Sequence, residues 1–182
     1  MAISDLNIPV LETPRLILRG HRREDFDSMV PIWQDPAVVK HFHGRAMTRE
    51  DIWGRFLRGF GMWVVNGYGL WAVEDKATGA YAGTVGAFEV KREMTPSVED
   101  MPEAGWTFAA RFHGKGYATE AMQAALKWTD TALKHPAIFC IVAPENTPSL
   151  RVAEKCGFKP WYETTYQEHP TLVFQRPPGG VS

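Results

Sequence analysis

Two glycines one residue apart, Gly114 and Gly116, stand between a strand-like run, Trp106-Thr-Phe-Ala109, and a long helix-like run that opens at Tyr117. This junction constrains the fold more than any other stretch of the chain. Glycine lets a backbone turn tightly and approach a ligand closely. The free N–H groups of the helix start then point at that ligand, with the helix dipole behind them. Arg111 and Lys115 add positive charge to the segment Arg111-Phe-His-Gly-Lys-Gly-Tyr-Ala-Thr-Glu-Ala121. The combination is suited to a phosphate-bearing molecule.

The spacing excludes the two best-known phosphate loops. A P-loop places four residues between its glycines and follows them with Lys and Ser or Thr; Gly114-Lys115-Gly116 does neither. A dinucleotide-binding fingerprint has a third glycine three positions after the second, where this chain has Thr119.

A second segment repeats the strand-to-helix arrangement. The apolar run Ile138-Phe-Cys-Ile-Val142 reads as a buried strand. It leads to Asn146-Thr-Pro-Ser-Leu-Arg-Val-Ala-Glu-Lys-Cys-Gly-Phe158. Thr147 is expected to cap the helix, with Pro148 in its first position and Gly157 closing it in a left-handed conformation. Asn146 and Ser149 then lie at the C-terminal edge of a strand, where open α/β sheets bind ligands. Capping alone would also account for both.

Together the two segments resemble the GNAT superfamily of acyl-CoA-dependent N-acyltransferases. Arg-x-x-Gly-x-Gly-Tyr-Ala-Thr-Glu-Ala is followed by Asn-x-Pro-Ser-x-Arg-x-x-Glu-Lys-x-Gly-Phe, in the family's order. The opening Leu11-Glu-Thr-Pro-Arg-Leu-Ile-Leu-Arg19 and the stretch Glu103-Ala-Gly-Trp106 are similar to the RimJ/RimL-type branch. The resemblance spans roughly residues 11 to 175. Its motifs are specific for the superfamily and much less so for the acceptor.

Length and composition agree with one enzyme domain. The chain has 182 residues and a formal net charge of −1, with no long basic block, which argues against non-specific binding of nucleic acid or anionic membranes. No run approaches a transmembrane span, and no signal-peptide pattern opens the chain. Cys140 and Cys156 lack the Cys-x-x-Cys spacing and are expected to be reduced thiols of a cytoplasmic protein.

The expected organisation is an N-terminal extension over 1–10, a single domain over 11–176 and a mobile tail over 177–182. The pattern is mixed α/β. A helix over Arg23–Gln34 is expected to kink at Pro31 or to split there into two short pieces. Another begins at Thr48, its end weakened by Gly59 and Gly61. Strands at Tyr68–Glu74 and Tyr81–Lys91 flank a hairpin turn, and a polar loop fills 92–102. A strand over Glu103–Ala109, a helix from Tyr117 to about Leu133, the strand at 138–142, a helix over 148–156 and strands near 158–167 and 170–175 complete the order.

The resemblance implies a mostly antiparallel sheet of about seven strands flanked by about four helices. Its middle strands, here 103–109 and 138–142, splay apart around acetyl-CoA, the co-substrate. On that basis backbone N–H groups of Phe112, His113, Gly114, Lys115, Gly116, Tyr117 and Ala118 hold the pyrophosphate, and Arg111 and Thr119 also belong to the co-substrate site. The backbone at Phe108 meets the acyl carbonyl and pantetheine amides, and Asn146 bonds the pantetheine arm. Glu103 is the candidate general base, directly or through water. Ser149 both contacts the co-substrate and stabilises the leaving thiolate, because the tyrosine many family members place four positions further on is Ala153 here.

The implied reaction moves an acetyl group to a primary amine, either a protein N-terminus or a small molecule. A non-catalytic acyl-CoA sensor or scaffold is the rival reading. No metal, nucleic acid or membrane partner is expected, and the protein is a monomer or homodimer. His41-x-His43 lacks a nearby third ligand and is a weak metal signal.

Overall fold

The computed structural model describes residues 7–42, 46–133, 135 and 137–179. Its order is β1 (Leu11–Glu12), β2 (Leu16–Arg19), α1 (Asp25–Gln34), α2 (Pro36–Val39), α3 (Arg49–Asn66), β3 (Leu70–Asp75), β4 (Tyr81–Phe88), β5 (Glu103–Phe108), α4 (Tyr117–Ala132), β6 (Ile138–Val142), α5 (Thr147–Lys155), β7 (Lys159–Tyr166) and β8 (His169–Arg176). The strands form one eight-stranded sheet in the order β1-β2-β3-β4-β5-β6-β8-β7. Every pairing is antiparallel except β5 with β6. The mixed sheet and five helices agree with the expected architecture. The extra strand is the two-residue β1, and the extra helix is the four-residue α2, both too short to leave a periodic signal.

Helix α1 runs through Pro31 as one element. Proline removes one helical hydrogen bond, but Met29, Val30, Ile32 and Trp33 are all buried around it, and tertiary burial overrides local propensity. Helix α3 likewise continues past Gly59 and Gly61 to Asn66 and ends at Gly67 in the left-handed conformation. Phe56, Phe60 and Trp63 bury one side of it. At its start Thr48 and Asp51 form a reciprocal capping box, with the Thr48 hydroxyl accepting from the Asp51 N–H at 3.1 Å.

Register assigns the two faces of the sheet. Ala72, Thr84 and Thr107 lie opposite one another across β3, β4 and β5, so Gly105 and Glu103 share their face by the period-two rule. Arg19 on that face binds Glu74 and reaches Asp25 of α1, at 2.8 Å each, and α1 packs on α3. The other face presents Trp71, Val85 and Trp106. Helix α4 covers it with Ala121, Met122, Ala125 and Leu126, and Trp71 meets Trp128 edge-on at 5.2 Å. Small side chains let α4 lie close to the strands. Arg176 of β8, 2 % exposed, ties this helix to the sheet through both oxygens of Asp130, at 2.7 and 2.8 Å.

The parallel contact between β5 and β6 is confined to one register pair, Glu103 with Phe139. Beyond it both strands continue, β5 to Phe108 and β6 to Val142, without further pairing to each other. The sheet therefore opens in its middle toward the C-terminal ends of these strands.

Gly83 fixes how closely β4 and β5 approach beside that opening. A Cβ there would sit 2.1 Å from the Thr107 carbonyl oxygen. Gly83→Ala is expected to destabilise the fold by about 2–3 kcal/mol through overpacking. A denaturant midpoint within error of the parent would show that this approach does not constrain the sheet.

Candidate functional site

The site is built where β5 leads into α4. After Phe108 the chain makes a 3-10 turn over Ala110–Phe112 and then the glycine loop. Gly114 and Gly116 have φ of 72° and 78°, a region that disfavours side chains. Nothing lies within 4 Å of where a Gly114 Cβ would be, so conformation, not space, requires glycine there. The first helical amides of α4, Tyr117, Ala118 and Thr119, have no carbonyl one turn earlier to bond; the ladder begins with Glu120 N–H to Gly116 O at 3.0 Å.

Two amides expected to face a pyrophosphate are already bonded. The Phe112 and His113 N–H groups donate to the carbonyls of Ala109 and Ala110, at 2.9 and 3.0 Å. The 3-10 turn uses them, which narrows the candidate donors to residues 114–119. Arg111 donates to the Tyr81 carbonyl at 3.0 Å and lies over the Phe112 ring, so it braces the loop against β4. His113 lends its ring to the scaffold as well: Nε2 is 2.9 Å from the Phe108 carbonyl oxygen.

Arg15, which the sequence did not single out, clamps the loop from the far edge. Its Nη1 donates to the Lys115 carbonyl at 2.8 Å, and its Nε to Glu120 Oε2 at 2.6 Å. Thr13 Oγ1 and the Arg15 N–H donate to Glu120 Oε1 at 2.6 and 3.0 Å. Burial pushes the Glu120 carboxyl up, but the bonds from Thr13 and Arg15 outweigh it and hold the carboxyl below its ordinary value. Arg15 also lies over the Tyr117 ring, 4.5 Å from its centroid, while the Tyr117 hydroxyl donates to Asp75 at 2.9 Å. Tyr117 is thus a brace for the helix start.

Across the opening, α5 is capped by Asn146, one residue earlier than the expected Thr147 cap. Asn146 Oδ1 accepts from the Ser149 N–H at 3.2 Å. The Asn146 carboxamide oxygen is therefore used in capping, leaving its NH2 for a ligand. Ser149 Oγ accepts from Trp106 Nε1 at 3.2 Å. An accepting hydroxyl still has its own O–H to donate, and accepting strengthens that donation. From the sequence Trp106 has no assigned site role; its place two residues before Phe108 on one strand face is the available clue.

Glu103 lies on the other face of β5, 4 % exposed. Its carboxylate takes two bonds from Arg92, at 2.5 and 2.7 Å. Burial lifts the carboxyl above its ordinary value, and Arg92 draws back part of that rise. Arg92 lies 5.1 Å from the centroid of Tyr166. Glu103 and Ser149 thus address opposite faces of a strand whose pairing with β6 stops at Glu103.

The turn after α2 reaches the same opening. His41 is within electrostatic range of Glu145 and His113, and its Nδ1 is buried without a partner. Burial first, then Lys40, depresses its imidazole. His43 lies outside the described residues. Among the described residues no group of three His, Cys, Asp or Glu side chains could hold a metal ion. Burial raises both thiols, Cys156 to about 12, so neither is an activated nucleophile.

The comparisons with known proteins agree with this architecture. The model of the acetyltransferase (GNAT) domain matches residues 15–159, and the chain belongs to that family. It is 31 % identical over 174 residues to the uncharacterized protein YkkB of Bacillus subtilis, covering 91 % of this chain and 94 % of that one. A solved structure of a GNAT-family protein from Bordetella pertussis superposes with a TM-score of 0.82 at 30 % identity, covering 93 % of this chain and 99 % of that one. The fold is shared further out by spermidine N-acetyltransferase of Vibrio cholerae, solved with CoA and spermine, at a TM-score of 0.73 and 18 % identity over 92 % and 98 % of the two chains. No described helix is long and apolar enough to cross a membrane.

A carboxyl held low in the folded state adds stability above its unfolded value and loses it as pH falls through the folded value. The melting-temperature gap between wild type and Glu120→Gln is therefore expected to be largest above about pH 5 and to shrink below about pH 4. A gap independent of pH would show that the Glu120 charge does not hold the loop.

Proposed function

We propose that this protein is an acetyl-CoA-dependent N-acetyltransferase of the RimJ/RimL type, acting in the cytoplasm on a primary amine. The observation that carries the reading is the coincidence of two features. The first-turn amides of α4 with the glycine loop stand at the open end of the gap between β5 and β6. Amides at Gly114, Lys115, Gly116, Tyr117, Ala118 and Thr119 bind the pyrophosphate as a helix N-terminus binds anions. Arg111, Phe112 and His113 shape that loop, and the β5 edge near Phe108 and the Asn146 carboxamide guide the pantetheine arm.

In the ternary complex the amine nitrogen attacks the thioester carbonyl carbon. The N–C bond forms, the C–S bond breaks, the ammonium proton leaves for a base and the sulfur departs as thiolate. An α-amino group, with a pKa of about 7.7–8.0, is partly neutral near pH 7; a lysine at about 10.4 needs more help. Glu103 accepts the proton. Trp106 lies three residues from it, about 10 Å along β5, so a water between amine and carboxylate relays the transfer. Burial, which raises this carboxyl against the pull of Arg92, suits it to hold the proton. Ser149, fixed by Trp106, stabilises the thiolate by donating a hydrogen bond to it.

The reading is tested by thiol release from acetyl-CoA across a panel of amines and N-terminal peptides. Glu103→Gln is expected to lower kcat by ~100-fold or more and to remove the acid limb of the pH profile. Ser149→Ala is expected to lower kcat by ~10-fold or more, the loss of a hydrogen bond to a charged group. Glu103→Gln should bind CoA nearly as the parent does. Tight CoA binding without turnover of any amine would favour a sensor or scaffold instead.

A further inference from the structure

Arg55 of α3 is the exception among the inward-facing arginines. Arg19 is paired with Asp25 and Glu74, Arg92 with Glu103, and Arg176 with Asp130. Arg55 has no carboxylate partner among the described residues, and its Nε is buried without a hydrogen bond. Its charged neighbours are two more cations, Arg58 and Arg92. Burial first, and then these neighbours, push its pKa down to about 10, which leaves it cationic at neutral pH.

Stacking does not account for this arrangement by itself. The guanidinium lies over Trp33, 4.1 Å from the ring centroid, and a cation–π contact of this kind is worth about 1–2 kcal/mol. It satisfies no N–H, however, and brings no negative charge. A half-buried cation beside two others is costly without a counter-ion.

Position identifies what the counter-ion belongs to. Helix α3 covers the sheet face that holds Glu103, and Arg92 links the two, bonded to Glu103 and within range of Arg55. The glycine loop lies beyond the far end of β5, five residues and about 17 Å along the strand, and has Arg111 and Lys115 of its own. Arg55 therefore stands on the side of the proposed base, away from the phosphates.

We infer that Arg55, with Arg58 beside it, forms the subsite for a carboxylate on the acceptor, and that the acceptor is a small amine bearing its own carboxylate, of the free amino-acid class. This rests on the acetyltransferase reading above. The guanidinium fork matches a carboxylate in geometry and charge. The same three arginines disfavour a polyamine, whose second cation would face them.

The test compares free amino acids with their amides, matched in side chain, as acceptors for the full chain with acetyl-CoA. Acids are expected to exceed amides in kcat/KM by ~10-fold or more, as removal of a charge-assisted contact implies. Arg55→Gln should raise KM for the acid by a similar factor while leaving KM for acetyl-CoA and for the amide nearly unchanged, and Arg55→Lys should recover part of the loss. Arg58→Gln, at an exposed position, should produce a smaller rise of the same kind without endangering the fold. Equal use of acids and amides, acceptance only of amines that lack a carboxylate, or variants that affect both partners alike would overturn the subsite and leave the acetyltransferase reading standing. Failure of the parent to bind CoA at all would instead remove that reading, and the subsite with it.

Discussion

The single register pair between Glu103 and Phe139 is the constraint from which the site follows. Had the parallel ladder continued, the amides and carbonyls of both strands would bond each other and the sheet would be closed. Because it stops, strand-edge groups near Phe108 and the start of α5 face the gap between β5 and β6. The β5 ladder with β4, from Glu103 opposite Phe88 to Phe108 opposite Gly83, keeps one wall in place. The β6 ladder with β8, from Ile138 opposite Arg176 to Val142 opposite Leu172, holds the other.

The gap also explains why groups with different tasks lie on opposite faces of one strand. Trp106 points toward α5 and fixes Ser149, while Glu103 points toward α1 and α3 and is held by Arg92. In the proposed reaction the leaving sulfur lies on the first side and the incoming amine on the second. The glycine loop is itself anchored from a distance, by Arg15 and Thr13 through Glu120, so its conformation is held by the protein's own side chains.

Much of this was legible in the sequence where local chemistry leaves few options. Gly114 and Gly116 occupy backbone conformations that favour glycine, and the apolar run Ile138–Val142 forms a strand with those same ends. The cap of α5 was misplaced by one residue because Asn146 and Thr147 are both good caps and only geometry chooses between them. Pro31, Gly59 and Gly61 weaken helices locally, but burial of Trp33, Phe56 and Trp63 decides the outcome. The Arg15 clamp joins residues 105 apart, and the Glu103–Arg92 pair brings a loop residue onto a strand end. Neither has a periodic or motif signature. The bonding of the Phe112 and His113 amides within a 3-10 turn was equally invisible, since it depends on loop conformation.

The central claim is that CoA phosphates rest on the amides that open α4. Titrating CoA into isotope-labelled protein and following the backbone amide resonances tests it most directly. The account predicts the largest saturable shifts at residues 114–119, with smaller ones near Phe108 and Asn146. Shifts centred elsewhere on a folded protein, or none at saturating CoA, would contradict it.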